Sequence, residues 1–220
     1  MSQTQPRVVY QQGDHVCTLF ASREEQLAAA IDYIRQGLGR KERCLYVCGE
    51  QTRDEFRQAL TAAGIDAAHE ESRGALILLT KETGHLAGGS FKASRMISML
   101  RKAVEDALSD GYEGLCAAGD MTWLLDDAPG SEELAEYEAQ LNHFYATHQA
   151  LGLCQYNRRS LPAEILDHGL ATHPTIRVAG SMLLENPFYE LPEIATSRTP
   201  ETTGVESRME ELSESPQNPA

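Results

Sequence analysis

Basic residues are scarce in this chain. Nineteen lysines and arginines stand against 33 aspartates and glutamates in 220 residues, a formal net charge of −14. A surface of that sign repels phosphate backbones and anionic lipid, which argues against direct nucleic-acid or membrane-surface binding. No run of about 18 apolar residues is present, so no transmembrane helix is expected. The opening stretch MSQTQPRVVYQQGDH lacks the apolar core of a secretory leader, and a cytoplasmic location is expected. The five cysteines, Cys17, Cys44, Cys48, Cys116 and Cys154, form no C-x-x-C pair and lie in or beside apolar, strand-like runs. They read as free buried thiols in a reducing compartment, not as a disulfide framework. There is no G-x-S-x-G elbow, so acyl-transfer chemistry has no support.

What is present suffices for one domain. Hydrophobic residues make up 41% of the chain, and 220 residues fit a single core with tails. Val16–Phe20 reads as a strand. Glu24–Leu38 reads as a helix with Leu27, Ile31, Ile34 and Leu38 on one face. Ser22 is its expected N-cap, with Glu25 three residues on, as in a capping box. The Gly37-Leu38-Gly39 step ends it. Cys44–Cys48 is a continuous apolar strand, of the kind that suits a sheet covered on both faces. Thr52–Ala63 reads as a helix, Ala75–Leu79 as a strand and Phe91–Leu108 as a helix with Met96, Leu100, Ala103 and Ala107 inward. Gly114–Ala118 is a strand, Glu132–Leu151 a long helix, Leu153–Tyr156 a strand and Pro162–Ala171 a short helix. Ile176–Val178 and Met182–Leu184 form a terminal hairpin around Ala179-Gly180. This alternation predicts an α/β fold in three layers, a mainly parallel sheet flanked by helices, with a C-terminal β-hairpin. Residues 1–13 are a lead-in and 14–193 the domain. From about Ile194 to residue 220 the composition turns to Glu, Ser, Thr and Pro, and a disordered acidic tail is expected.

The layout is that of a nucleotide-binding sheet without its phosphate loop. Lys41–Gly64, KERCLYVCGEQTRDEFRQALTAAG, is a buried strand, an acidic turn and a helix, as in a RecA-like ATPase. A glycine-rich loop ending in Lys-Ser/Thr should then follow the first strand. The chain has Ala21-Ser22-Arg23-Glu24-Glu25 there instead. Glycine-turn amides and one lysine are what hold a triphosphate, so no ATP is expected to bind.

Ligands of open parallel sheets bind at the carboxyl ends of the strands. The loops there supply Ser22, Glu50, Asp120 with Trp123, and Asn157 with Arg158. Glu50 and Asp120 either belong to a site or cap the next turn. Trp123 is a core anchor or an apolar pocket wall. On the long helix, Glu138 and Asn142 are four apart and neighbours beside Tyr137. A half-buried carboxylate needs a partner, either Asn142, an arginine or a ligand. His15 and Cys17 share a strand face if Val16 extends the strand. Cys154 and His173 could join them as a zinc-type set, but an ordinary structural role for these residues is preferred and no metal ligand is assigned. His15 is expected at the opposite edge of the sheet from Asp120. His173-Pro174 and Asn186-Pro187 read as rigid corners. His69 and His85 read as solvated loop residues.

Seven segments in order carry a family resemblance: HVCTLFAS (His15–Ser22), ERCLYVCGE (Glu42–Glu50), GDMTW (Gly119–Trp123), YEAQLN (Tyr137–Asn142), LCQYN (Leu153–Asn157), HP (His173-Pro174) and NPFY (Asn186–Tyr189). The chain resembles the MEDS family, sensory domains named for methanogens, methylotrophs and a dichloromethane-responsive regulator. That resemblance implies a RecA/KaiC-like domain without a working phosphate loop, sensing small hydrocarbon derivatives beside DNA-binding or histidine-kinase modules. It also marks His15 and Cys17 as sensing candidates. No helix-turn-helix or kinase is found in this chain, so a separate partner, a histidine kinase or transcription factor, is expected to receive the signal. The expected function is ligand sensing without catalysis; the alternative is a ligand-free adaptor in a two-component or anti-sigma system. The binding residues assigned from sequence are His15, Cys17, Glu50, Asp120, Trp123, Tyr137, Glu138, Asn142, Tyr156 and Asn157. No catalytic residue is assigned, and the cofactor is unnamed. Truncating Trp123 is expected to weaken ligand binding while leaving the fold intact.

Overall fold

A computed structural model describes residues 8–50, 52–126, 128–178, 182–196 and 204–214. In chain order the strands are β1 (His15–Phe20), β2 (Arg43–Val47), β3 (Leu76–Leu79), β4 (Leu115–Asp120), β5 (Ala150–Asn157), β6 (Thr175–Val178) and β7 (Met182–Glu185). The helices are α1 (Arg23–Gly39), α2 (Arg53–Ala62), α3 (Ala67–Ser72), α4 (Ala93–Ser109), α5 (Leu134–Thr147), α6 (Ala163–Thr172), α7 (Pro192–Ala195) and α8 (Val205–Glu214). One seven-stranded sheet runs in the order β3-β2-β4-β5-β1-β6-β7. Every pairing is parallel except β6 with β7. The expected fold class holds, including the C-terminal strand pair; the turn at Ala179-Gly180 lies outside the described residues.

Side-chain alternation along each strand divides the core in two. Cys17, Ala117, Cys154 and Tyr156 face the layer of α4, α5 and α6. Val16, Cys44, Cys116, Leu151 and Leu153 face the layer of α1, α2 and α3. Two glycines set how closely the layers approach. A Cβ on Gly37 would lie 2.7 Å from the Cys116 sulfur, and one on Gly152 would lie 2.3 Å from the Tyr145 ring. Gly37 therefore sits inside α1 for packing rather than ending it, and Arg40 is the C-cap.

Several expectations change. The buried face of α1 is Gln26, Ala29, Ala30, Tyr33, Ile34 and Gly37; Leu27, Ile31 and Leu38 pack at its margin. Helix α5 stops at Thr147, because Leu151 already pairs with Cys116 in the sheet. Helix α3, whose Ala67 is buried, was not anticipated. The described end of the lead-in reaches the core: Tyr10 is 1% exposed and meets Tyr33 edge-on with ring centroids 4.8 Å apart. The acidic stretch after Ile194 is not wholly without structure either. In α8, Val205 and Leu212 are buried, and Arg208 pairs with the fully buried Asp167 at 2.6 Å. Acidic composition hid a two-residue apolar stripe and one basic anchor. Residues 197–203 and 215–220 lie outside the described residues.

Candidate functional site

Four side chains from four elements converge between the sheet and the α5–α6 layer. His15 opens β1, Glu138 lies on the second turn of α5, Cys154 is in mid-β5, and His173 follows α6. They are 1%, 1%, 7% and 0% exposed. Each offers one ligand atom, and these atoms all lie within 4.8 Å of one another. His15 Nε2 is 3.3 Å from Glu138 Oε2, and His173 Nε2 is 3.5 Å from the same oxygen. The Cys154 sulfur is 3.7 Å from His15 Nε2 and 3.9 Å from Glu138 Oε2.

An outer ring fixes these groups. Tyr156 donates its hydroxyl to Glu138 Oε1 at 2.7 Å. Asn142 donates its amide to the Thr172 carbonyl, which turns its own oxygen to His15 Nδ1 at 2.8 Å. His15 must therefore carry a proton on Nδ1. His173 Nδ1 faces the Gly169 carbonyl at 2.7 Å and must donate there. The His173 Nε2 is left as a bare lone pair aimed at the carboxylate, while the His15 Nε2 faces both that carboxylate and the Cys154 sulfur. The His15 ring rests on Tyr145, with centroids 5.3 Å apart, in the space that Gly152 leaves open.

Burial decides the charges. It pushes the His173 imidazole down to about 3, and neighbouring His15 adds to the push. Burial pushes the Cys154 thiol well up, as does the nearby Glu138 carboxylate. For Glu138 burial again acts upward, but the facing His173 and His15 and the Tyr156 hydroxyl hold its carboxyl below the usual range. The cluster is thus an ionised carboxylate facing the neutral His173 imidazole, the His15 ring and a protonated Cys154 thiol.

Cys154 also lines a small apolar cavity of about 20 Å³ between β4 and helices α4 and α5. Its other walls include Met96, Met99, Met121, Ala117, Tyr137 and His85. That volume seats roughly one water-sized molecule. Methionine walls are unbranched and adaptable, so the space can enlarge at low cost.

The other residues assigned from sequence fall elsewhere. Asp120 is at the carboxyl end of β4 on the α1 side. One of its oxygens accepts from Gln26 at 2.7 Å, the other from the Thr122 amide at 3.0 Å. Burial pushes its carboxyl up against these bonds. Gln26 continues through Gln155 to Tyr46, a buried polar chain. Glu50 meets this region through its amide, which donates to Thr122 Oγ1 at 3.1 Å, and through its charge, which acts on Asp120. Asn157 Oδ1 accepts from the Arg159 amide, closing a turn. Trp123 is fully buried, stacked between Phe91 and His85. Cys17 is buried beside Cys154 in the parallel register, outside the four-ligand set. The ten residues thus divide. His15, Glu138, Asn142 and Tyr156 share one centre, with Cys17 beside it and Tyr137 on the cavity wall. Glu50, Asp120 and Asn157 lie at the carboxyl edge, and Trp123 is in the core.

Where a phosphate would rest, α1 is already closed. Ser22 caps it by accepting from the Glu25 amide, and the Glu25 carboxylate accepts from the Ala21 amide at 2.7 Å. The return arm of the capping box thus falls one residue earlier than the Ser22 amide. The cavity methionines escaped the sequence reading, although Met96 was recognised as inward. His85, read as solvated, is 3% exposed. A glycine-rich loop gave no signal that its histidine turns in.

His85 supplies a pH prediction. Burial lowers its imidazole to about 4, with Glu138 acting weakly the other way. The unfolded chain therefore takes this proton first, and stability falls as pH drops from about 6.5 toward about 4. Between pH 7 and pH 5 the group should contribute about 2 kcal/mol of that loss. His85→Phe keeps a ring on Trp123 and cannot titrate. Denaturant unfolding at the two pH values should show a difference smaller by about that amount; an unchanged difference would remove His85 as its source.

Comparison with known proteins follows the same outline. The model of a family described as MEDS, MEthanogen/methylotroph, DcmR Sensory domain, matches residues 14–174. No curated protein matches the chain. Among solved structures, a KaiC-like protein from the hyperthermophilic archaeon Pyrococcus horikoshii is similar, with a TM-score of 0.53 and 12% identity. The match covers 75% of this chain and 70% of that one, and at that identity it speaks for the fold alone.

Proposed function

The chain belongs to the MEDS family of sensory domains, and on that footing we propose that it binds a small, mainly apolar organic molecule in the methionine-lined cavity. The binding event then passes to a separate regulatory protein, of the histidine-kinase or transcription-factor class. One observation carries this reading: the apolar cavity shares Cys154 with a fully buried polar centre. A ligand of one or two carbons would touch apolar walls on most sides and a polarisable sulfur on one. A ligand-free adaptor has no use for a void, which costs stability in proportion to its volume.

Turnover of nucleotide finds little support. Both Asp120 oxygens already accept hydrogen bonds from the protein. The first turn of α1 carries Glu24 and Glu25, which repel phosphate. Among the described residues no helix is long and apolar enough to cross a membrane.

The test is a panel of one- and two-carbon alcohols and halides, read by thermal shift on the full chain. A binder at 100 times its Kd adds about 2.7 kcal/mol of stability. Ala117→Leu, which fills the cavity from β4, should abolish the shift while the variant still unfolds cooperatively. A shift that persists in the filled variant, or none with any member of the panel, would overturn the reading.

A further inference from the structure

We propose that His15, Glu138, Cys154 and His173 form a closed binding site for one zinc-class dication. Three independent observations lead there. The first is geometry. Bonds of about 2.0–2.3 Å at tetrahedral angles separate donor atoms by roughly 3.3–3.8 Å. Four of the six edges of this cluster are 3.3, 3.5, 3.7 and 3.9 Å, and the other two are no longer than 4.8 Å.

The second is hydrogen-bond logic. With its Nδ1 proton committed to the Gly169 carbonyl, the neutral His173 aims a bare Nε2 at the Glu138 carboxylate. There an acceptor faces an acceptor in a space that excludes water. His173 Nε2 is fully buried and has no hydrogen-bond partner. Such an orphan costs about 1–3 kcal/mol. A cation at the centroid satisfies all four donors at once, and Cys154 gives up its thiol proton to solvent as it binds.

The third is the outer ring. Metal-bound imidazoles donate their second nitrogen to a carbonyl or similar acceptor, and bound carboxylates are themselves hydrogen-bonded. Asn142, the Gly169 carbonyl and Tyr156 provide these partners. With every ligand at most 7% exposed, no coordination position faces solvent. That is the character of a structural centre, not of a hydrolytic one. It ties β1, β5, α5 and the end of α6 together, and it stands whether or not the adjoining cavity takes an organic molecule.

The experiment uses the full chain, stripped with chelator and titrated with Zn²⁺ and with Co²⁺ as a spectroscopic stand-in. Wild type should take up one ion per chain. The cobalt form should show the intense visible bands of a tetrahedral site and a near-ultraviolet sulfur-to-cobalt band. Cys154→Ser should abolish the sulfur band, and Cys48→Ala should keep it. Glu138→Gln can still accept from Tyr156 while its amide donates to His173 Nε2, so it should fold yet bind at least 100-fold more weakly. Asn142→Ala, which removes only a positioning partner, should weaken binding about 10–100-fold. The proposal fails if folded wild type takes up no stoichiometric ion. It fails equally if uptake survives unchanged in Glu138→Gln, or if the sulfur band survives in Cys154→Ser.

Discussion

Replacing Trp123 by alanine should remove about 3–5 kcal/mol of folding stability. Its indole is wholly buried, stacked on Phe91 at 4.8 Å and on His85 at 5.2 Å between ring centroids. Phe91 in turn meets Tyr137 edge-on at 5.3 Å. The indole thus joins the loop after β4 to the loop before α4 and to the face of α5. Alanine would leave a void that neither ring can fill without leaving the other. The sequence reading had this variant stay folded and lose only ligand. That outcome needs an indole at the mouth of a pocket, and the structure places it inside the core. Because Trp123 is the only tryptophan, the unfolding curve should be followed by circular dichroism. A loss below about 1 kcal/mol would mean that the three-ring stack bears little load.

Glu138→Ala should cost a similar amount, about 3–5 kcal/mol, for a different reason. The carboxylate is 1% exposed. Its removal strands the Tyr156 hydroxyl and withdraws the group between His15 and His173. Glu138→Gln should recover most of that loss in metal-free protein, since an amide can accept from Tyr156 and donate to a bare imidazole nitrogen. Denaturant unfolding of both variants in the presence of chelator gives the comparison. If glutamine were as damaging as alanine, the negative charge itself would be what the fold requires, and the assignment of a bare His173 Nε2 would be wrong.

These two cases show what a one-dimensional reading could reach. Strand and helix order was legible because apolar runs and 3.6-residue periodicity are local signals. The family resemblance was legible because its motifs are short and ordered. His15, Cys154 and His173 were noticed together as metal-type residues. Glu138 was noticed apart from them, as a half-buried helix carboxylate seeking a partner. What joins the four is the β1–β5 pairing and the packing of α5 against that pair, and nothing local encodes either. The same holds for Gln26. On the helix wheel it is one polar residue among apolar ones, and only the register of β4 brings Asp120 to it. The α1 face went astray because alanines and glycine, not the larger leucines, occupy the closest approach to the sheet. At Val205–Glu214 a Glu- and Ser-rich composition outweighed two apolar residues and one arginine in the reading.

The place of β1 in the sheet has a consequence for how the chain is made. It precedes the other six strands of this sheet in the chain, yet its neighbours are β5 and β6. Until residues beyond Ala150 have emerged from the ribosome, His15–Phe20 is an apolar strand with both hydrogen-bonding edges open. Such a segment invites pairing with other chains. The half built from β2, β3 and β4 can associate earlier, since its strands are neighbours in the sheet and close in sequence. Nascent chains should therefore hold a partly assembled sheet until β5 arrives, and chains that end before it should be prone to aggregate. The strand that leads this sheet in sequence is seated late, and the buried centre at its head can close only once His173 is in place.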